Sequence, residues 1–415
     1  MRHSFSAPFA AAIGSPAEPG DRPIVQEVSV GATRTLALLS DGTLWAAGSI
    51  ATEINTNTFI QYMVEVAGLV ESVFTAGQEC TCVLKTDATL WLSVSGESDR
   101  FEKMLANVIE VTATNNHIFA LKVDGSLWAM GPNNAGQLGD GSNASRSDFV
   151  HCLAGVASVA AGESHTLVVK TDGTLWATGA NESGQLGNAT NTSHSVFAHV
   201  LSGVASAAVG AHHSLALKTD GTLWAAGSNQ SGELGDGSRT QHTSFVQVLS
   251  DVSQLWAEAN YSFALKTDNT LWAAGSNFAG KLGAGRSGHN YEFAQVLHDV
   301  GSVALGHWHT FAVQLDGTLL ATGTNRFGEL GDGRNVTRKD FAQVLTGVSR
   351  VAAGIAETIT LKTDGTLWGT GRNGHGQLGI GTNANCSVYS PAIWRSGGDV
   401  TVGKRSGPSR LSLVK

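Results

Sequence analysis

The sequence predicts an all-β chain organised as a β-propeller of short four-stranded antiparallel blades. Three observations predict it. One hairpin phrase recurs eight times, beginning at Asp41, Asp87, Asp124, Asp172, Asp220, Asp268, Asp316 and Asp364, so the spacings are 46, 37 and then 48 five times over. Each copy carries four short runs of strand character within about 48 residues. No stretch shows the sustained 3.6 periodicity that a helical solenoid needs.

Within a copy the elements come in a fixed order. A short apolar run such as SVAAG (158–162) is followed by an alternating strand, HTLVVKT (165–171). Asp-Gly then separates it from a third strand, TLWATG (174–179), which predicts a hairpin with a type I′ turn. The copy at Asp268 has Asn269 in place of glycine, and the copy at Asp87 has Ala88, a poorer turn residue. A polar loop leads to a fourth run, FAHVL (197–201) or FAQVL (341–345), of which the last is SPAIW (390–394). Eight blades are favoured on this count. Seven is the alternative, should the second or third copy fail to form its own blade.

The repeated residues have structural explanations. Trp45, Trp91, Trp128, Trp176, Trp224, Trp272 and Trp368 share one register, with Leu320 in the remaining copy, and a ring there fills the wedge between blades. The loop G-x-N-x-x-G-x-L-G begins at 131, 179, 227, 275, 323 and 371, and its leucine is placed to plug back into the blade. Gly371, Gly374 and Gly376 superficially suggest a nucleotide fingerprint, but a strand follows them where a phosphate cradle needs a helix. Repeats one and two lack this loop.

Composition narrows the function classes. Charged residues make up only 14%, the net charge is −8, and 51 of 415 residues are glycine against 7 prolines. The negative balance argues against a nucleic-acid partner, which needs a basic footprint. No run approaches the ~18 apolar residues of a membrane span. Cys80, Cys82, Cys152 and Cys386 are too few for a disulfide scaffold, and the C-x-C pair has no companion pair for zinc. Residues 1–23 read as a flexible tail without a clear signal-peptide core, residues 24–394 as the propeller and 395–415 as a basic flexible tail. A cytoplasmic monomer is the default expectation.

The run VAAGESHTLVVKTDGTLWATGANESGQLGN (159–188) and its sisters resemble the RCC1 repeat family, over residues 24 to 394. The resemblance implies a propeller, usually of seven blades, whose stiff disc offers loops to a macromolecular partner. Known roles in the family include GTPase exchange, nucleosome docking, light sensing and enzyme inhibition, and fold alone does not choose among them.

Candidate sites lie where copies differ. One slot reads Arg34, Cys80, His117, His165, His213, Tyr261, His309 and Glu357. Its histidines should lie too far apart to share a metal, so each is expected to hydrogen-bond local backbone. GHWHT (306–310) holds Trp308 alone, where the family's light sensor clusters several tryptophans. Trp256 stands where sister repeats have alanine, and is expected to face the axial channel with Tyr261 nearby. The variable loop positions supply Phe278, Lys281, Arg326, Phe327, Glu329, Arg372 and His375 as a candidate contact patch for a protein partner. With no nucleophile elbow, zinc-protease helix or phosphate loop, the expected function is a non-catalytic interaction scaffold without cofactor or metal. The alternatives are a guanine-nucleotide exchange regulator of a small GTPase, and a hydrolase or lyase working on the propeller face.

Overall fold

The computed structural model describes residues 24–51, 54–61, 70–76, 80–94, 97–114 and 117–395. The expected tails, 1–23 and all but Arg395 of 395–415, lie outside these residues. Eight blades of four antiparallel strands follow one another along the chain, and one short parallel strand from the end of the propeller is added to the first. The first blade comprises β1 (Val25–Val30), β2 (Arg34–Leu39), β3 (Leu44–Ala51) and β4 (Ile54–Gln61). The second runs from β5 (Val70–Ala76) to β8 (Glu97–Ala106), and the third from β9 (Val108–Ala113) to β12 (Arg146–Leu153). The fourth spans β13 (Val156–Ala161) to β16 (His194–Ser202), and the fifth β17 (Val204–Val209) to β20 (His242–Leu249). The sixth spans β21 (Val252–Glu258) to β24 (Asn290–Leu297), the seventh β25 (Val300–Leu305) to β28 (Arg338–Leu345), and the eighth β29 (Val348–Ala353) to β32 (Cys386–Pro391). The second and third copies both build a blade, so the count is eight. Among the described residues no helix is long and apolar enough to cross a membrane.

The hairpin turn differs from the expectation. Gly173 has φ +77° and its N–H reaches the Lys170 carbonyl at 2.9 Å, while Asp172 keeps a negative φ. The link is therefore a three-residue loop ending in a left-handed residue, not a type I′ turn. Asp172 instead orders the start of the third strand. Its Oδ1 accepts from the Thr174 N–H at 2.9 Å and the Thr174 hydroxyl at 2.6 Å. The Trp176 Nε1–H donates to that same hydroxyl at 2.9 Å, and Lys170 Nζ lies 4.3 Å from the Trp176 ring centre. The repeated tryptophan leans on the inter-blade core but stays half-buried, because its nitrogen and one ring face serve this polar chain.

The glycine loop is what joins blades. In the third blade the buried Asn133 accepts the Leu138 N–H at 2.9 Å and donates to Asp140, shaping the loop, while Leu138 is fully buried as expected. Asp140 bridges to Val196 on the fourth strand of the next blade. A Cβ on Gly139 would stand 2.3 Å from the Phe197 ring of that strand, so only glycine admits the contact. The same bridge recurs at Asn188, Asp236, Ala284 and Asp332. Each loop thus clasps the blade ahead of it.

Closure corrects one assignment. The fourth strand of the last blade is Cys386–Pro391, and Tyr389, not a residue of SPAIW's expected register, takes the phenylalanine position against Gly331. The chain then crosses to the first blade as β33 (Trp394–Arg395), parallel to β4 with Trp394 opposite Phe59. Trp394 meets Trp45 edge to face, with ring centres 5.3 Å apart. Strands β1 and β29 also pack together, so the ring is shut and neither end blade is left with a bare inner edge.

Candidate functional site

The slot residues all sit at, or immediately before, the start of the second strand of each blade. The histidine bonds run across blades and not to local backbone in the regular sectors. His165 Nε2 meets Ser214 Oγ at 3.0 Å and His213 Nε2 meets Ser262 Oγ at 2.9 Å. Each serine in turn donates to a loop carbonyl, Gln185 or Glu233, at 2.6 Å. Burial pushes both imidazoles down to about 3, which keeps them neutral. No group of three or more metal-ligating side chains occurs among the described residues.

The sixth blade breaks this pattern. Glycine precedes the slot at 162, 210, 306 and 354, and Glu258 stands at the equivalent place. In the fifth blade a Cβ on Gly210 would lie 2.1 Å from the His213 ring, and on Gly354 it would lie 2.2 Å from Glu357. Tyr261 removes that conflict, because its hydroxyl reaches forward to the Gly306 carbonyl of the seventh blade at 3.1 Å. The tyrosine frees the space that the glutamate side chain then uses. Glu258 pairs with Tyr261, extending the ladder by one residue, and Ala259 takes φ +41° to make the turn.

A second departure faces the first. The loop position before the plug leucine holds Gln137, Gln185, Glu233, Glu329 and Gln377 in five blades. Each accepts a backbone N–H two residues earlier in its own loop, at 2.7–3.0 Å. The sixth blade has Lys281, which can only donate. Its loop forms a short 3-10 turn, Phe278–Gly280, with Ala279 at φ +59°. The ammonium lies 4.0 Å from the Tyr261 ring centre and 5.3 Å from that of Trp308. Lys281 is 2% exposed and Glu258 6%. Burial holds Lys281 down at about 8 although Glu258 opposes it, and burial raises Glu258 above the usual carboxylate range.

Above the lysine lies an aromatic cover. Phe278 is 67% exposed and Trp308 40%, and the two rings meet edge to face at 5.7 Å. His307 packs on Trp308 at 4.5 Å, and burial followed by the Lys281 charge lowers its pKa.

Of the ten residues singled out from sequence, the structure gathers Phe278, Lys281, Tyr261 and Trp308. Trp256 pairs with Phe263 in the alanine register and is half-buried against the same apolar cluster as Tyr261. Arg326, Phe327 and Glu329 belong to the loop of the seventh blade, and Arg372 and His375 to that of the eighth. Phe327 occupies the loop position after the one held by Phe278, is half-buried, and donates its N–H to Glu329. Phe278 therefore pairs with Trp308 and not with Phe327. Glu258 and His307 complete the cluster. In the sequence Glu258 departs from the glycine of its sister repeats, whereas His307 stands at a position that varies from copy to copy.

Models of the Regulator of chromosome condensation (RCC1) repeat match residues 124–169, 172–217, 156–185 and 204–233. Residues 124–233 carry RCC1 repeats. Among solved structures, this propeller is similar to human WBSCR16, with TM-score 0.58, 20% identity, and coverage of 71% of this chain and 84% of that one. It is also similar to a structure of Kap60 bound to yeast RCC1 (Prp20), with TM-score 0.59, 20% identity and coverage of 72% and 78%. A structure of Prp20p from Saccharomyces cerevisiae, described with its binding to Gsp1p and histones, gives TM-score 0.57 at 18% identity over 81% and 84%. At these identities the likeness concerns the fold. No curated protein matches the sequence.

Proposed function

We propose that this chain is a non-catalytic interaction scaffold, and that it holds a protein partner on the loop face at the junction of the sixth and seventh blades. The Phe278–Trp308 pair carries this reading. Two large rings stand exposed where sister repeats place Asn134, Glu182, Gln230, Arg326 and Gly374, or Ser164, His212, Asn260 and Ala356. The fold does not require aromatics at either position. Exposed, adjacent aromatic rings beside a cation are the composition of an interface hot spot. The similar yeast structures, one bound to Kap60 and one characterised with its binding to Gsp1p and histones, are in keeping with a protein-binding disc.

Cross-linking and affinity capture from host lysate, with wild-type chain and with F278S/W308S, tests the reading. One stoichiometric protein recovered by the wild type and lost in the double variant is the expected result. Equal recovery by both proteins overturns the placement of the interface. Nucleotide release from a captured GTPase would replace the plain scaffold with the exchange-factor reading, and turnover of a small substrate by the bare chain would replace it with the enzyme.

A further inference from the structure

We propose that Lys281 and Glu258 form a carboxylate-reading subsite for an extended peptide, roofed by Phe278 and Trp308. The peptide's carboxylate would pair with the Lys281 ammonium, an adjacent backbone N–H would reach the Glu258 carboxylate, and an apolar side chain would lie against the two exposed rings. The inference rests on the reading that this face holds a protein partner, and it supplies that partner's chemistry.

Three features support it. Lys281 is 2% exposed, and its ammonium, which can donate three bonds, meets the Tyr261 and Trp308 rings. Ring faces steady its charge but leave those donors unused, and a desolvated cation gains most from an anion. Glu258 Oε2 is likewise buried without a hydrogen-bond partner, and no ion pair joins it to Lys281 among the described residues. Two opposite charges have thus been brought to one place without satisfying each other, which suits a ligand offering both an acceptor and a donor. Finally, every sister loop spends this position on its own backbone. The sixth loop, with lysine in place of that acceptor, has Ala279 left-handed, lacks the local bond and carries its side chain toward the neighbouring blade.

The test uses the full chain and four peptides followed by calorimetry. Acetyl-Phe-Asp-amide is compared with acetyl-Phe-Asn-amide, and acetyl-Gly-Phe bearing a free C-terminal carboxylate with its amide. At least tenfold tighter binding of the acid in the first pair identifies an acidic side chain as the ligand, and in the second pair a chain terminus. In K281Q, which restores the sister loops' own bond and so keeps the fold, the preference should vanish. E258Q removes the carboxylate that receives the peptide N–H and should weaken the acid and amide peptides by the same factor; undiminished binding of both in E258Q removes Glu258 from the subsite. Equal binding within both pairs, or a preference that survives in K281Q, overturns the subsite. Should the peptides fail while partner capture is still lost in F278S/W308S, the interface stands and only the carboxylate reading falls. Should the peptides discriminate while capture is untouched by that double variant, the subsite stands and the partner lies elsewhere.

Discussion

The fourth and fifth blades and the sixth and seventh blades share one backbone plan and use it differently. In the former, the side chains at the inner loops bond within the ring, histidine to serine, serine to carbonyl and glutamine to its own loop, although His165 Nδ1, His213 Nδ1 and Gln185 Nε2 are left without a partner among the described residues. In the latter, the same positions hold Glu258, Tyr261, Lys281 and Trp308, and two charges are left with capacity to spare. The contrast teaches that a repeat protein declares its site where a sector stops serving its neighbours. Function is read from the positions that no longer support the ring, not from those that recur.

Experiments that break the regular sector should have the largest effects. Gly187→Val puts a branched side chain at φ +68° with its Cβ 2.4 Å from the Phe245 ring, so the loop can no longer clasp the next blade. A loss of more than about 3 kcal/mol in urea unfolding is expected, from strain together with lost burial. The buried histidines come next. Each is neutral in the fold with its pKa near 3, whereas the unfolded chain takes up the proton below about 6.5. Their stabilisation is complete above pH 6.5 and is lost as pH falls toward 3, by up to about 1.4 kcal/mol per histidine per pH unit. Glu27, which burial raises to about 8, acts with the opposite sign between about 4.5 and 8. The informative quantity is therefore the flattening of the unfolding midpoint between pH 7 and pH 5 in His165→Gln/His213→Gln, relative to wild type.

Closure should cost less than the clasp. Trp394→Ala removes the edge-to-face contact with Trp45 and much of the short parallel strand's anchor, and a loss of about 2 kcal/mol is expected by thermal unfolding. The irregular sector should respond in the other direction or hardly at all. Lys281→Gln returns an acceptor to the loop and removes a buried charge, so a gain of about 1 kcal/mol is expected. Phe278→Ser should stay within about 0.5 kcal/mol of wild type, since its ring is mostly in water. A large loss there would make the ring part of the core and would erase the contrast between the two sectors.

Much of this was legible in the sequence because repetition converts physics into spacing. The plug leucines and the slot residues fell where the period placed them, and the count of hairpins and strand runs favoured the eight blades that form, with seven left open. Details that depend on a neighbouring blade were not legible. The bond from His165 to Ser214 spans 49 residues, and nothing in either copy alone announces it. The end of the chain misled by one register because Tyr389 substitutes for phenylalanine and Pro391 interrupts the familiar run. At the site, Lys281 and Phe278 could be chosen as irregular, but Glu258 gains meaning only once Tyr261 is seen to turn away from it.

Because the loops of the third to seventh blades each grip the sector in front, the ring has a direction of travel, like runners each holding the shirt ahead. The contact is of the head-to-tail kind that in assemblies of separate subunits makes either closed rings or endless filaments. Here covalent succession and a final crossing onto the first sector decide for the ring. No individual sector encodes how many companions it has, so copies can drift, as the sixth has done, while the circle stays closed.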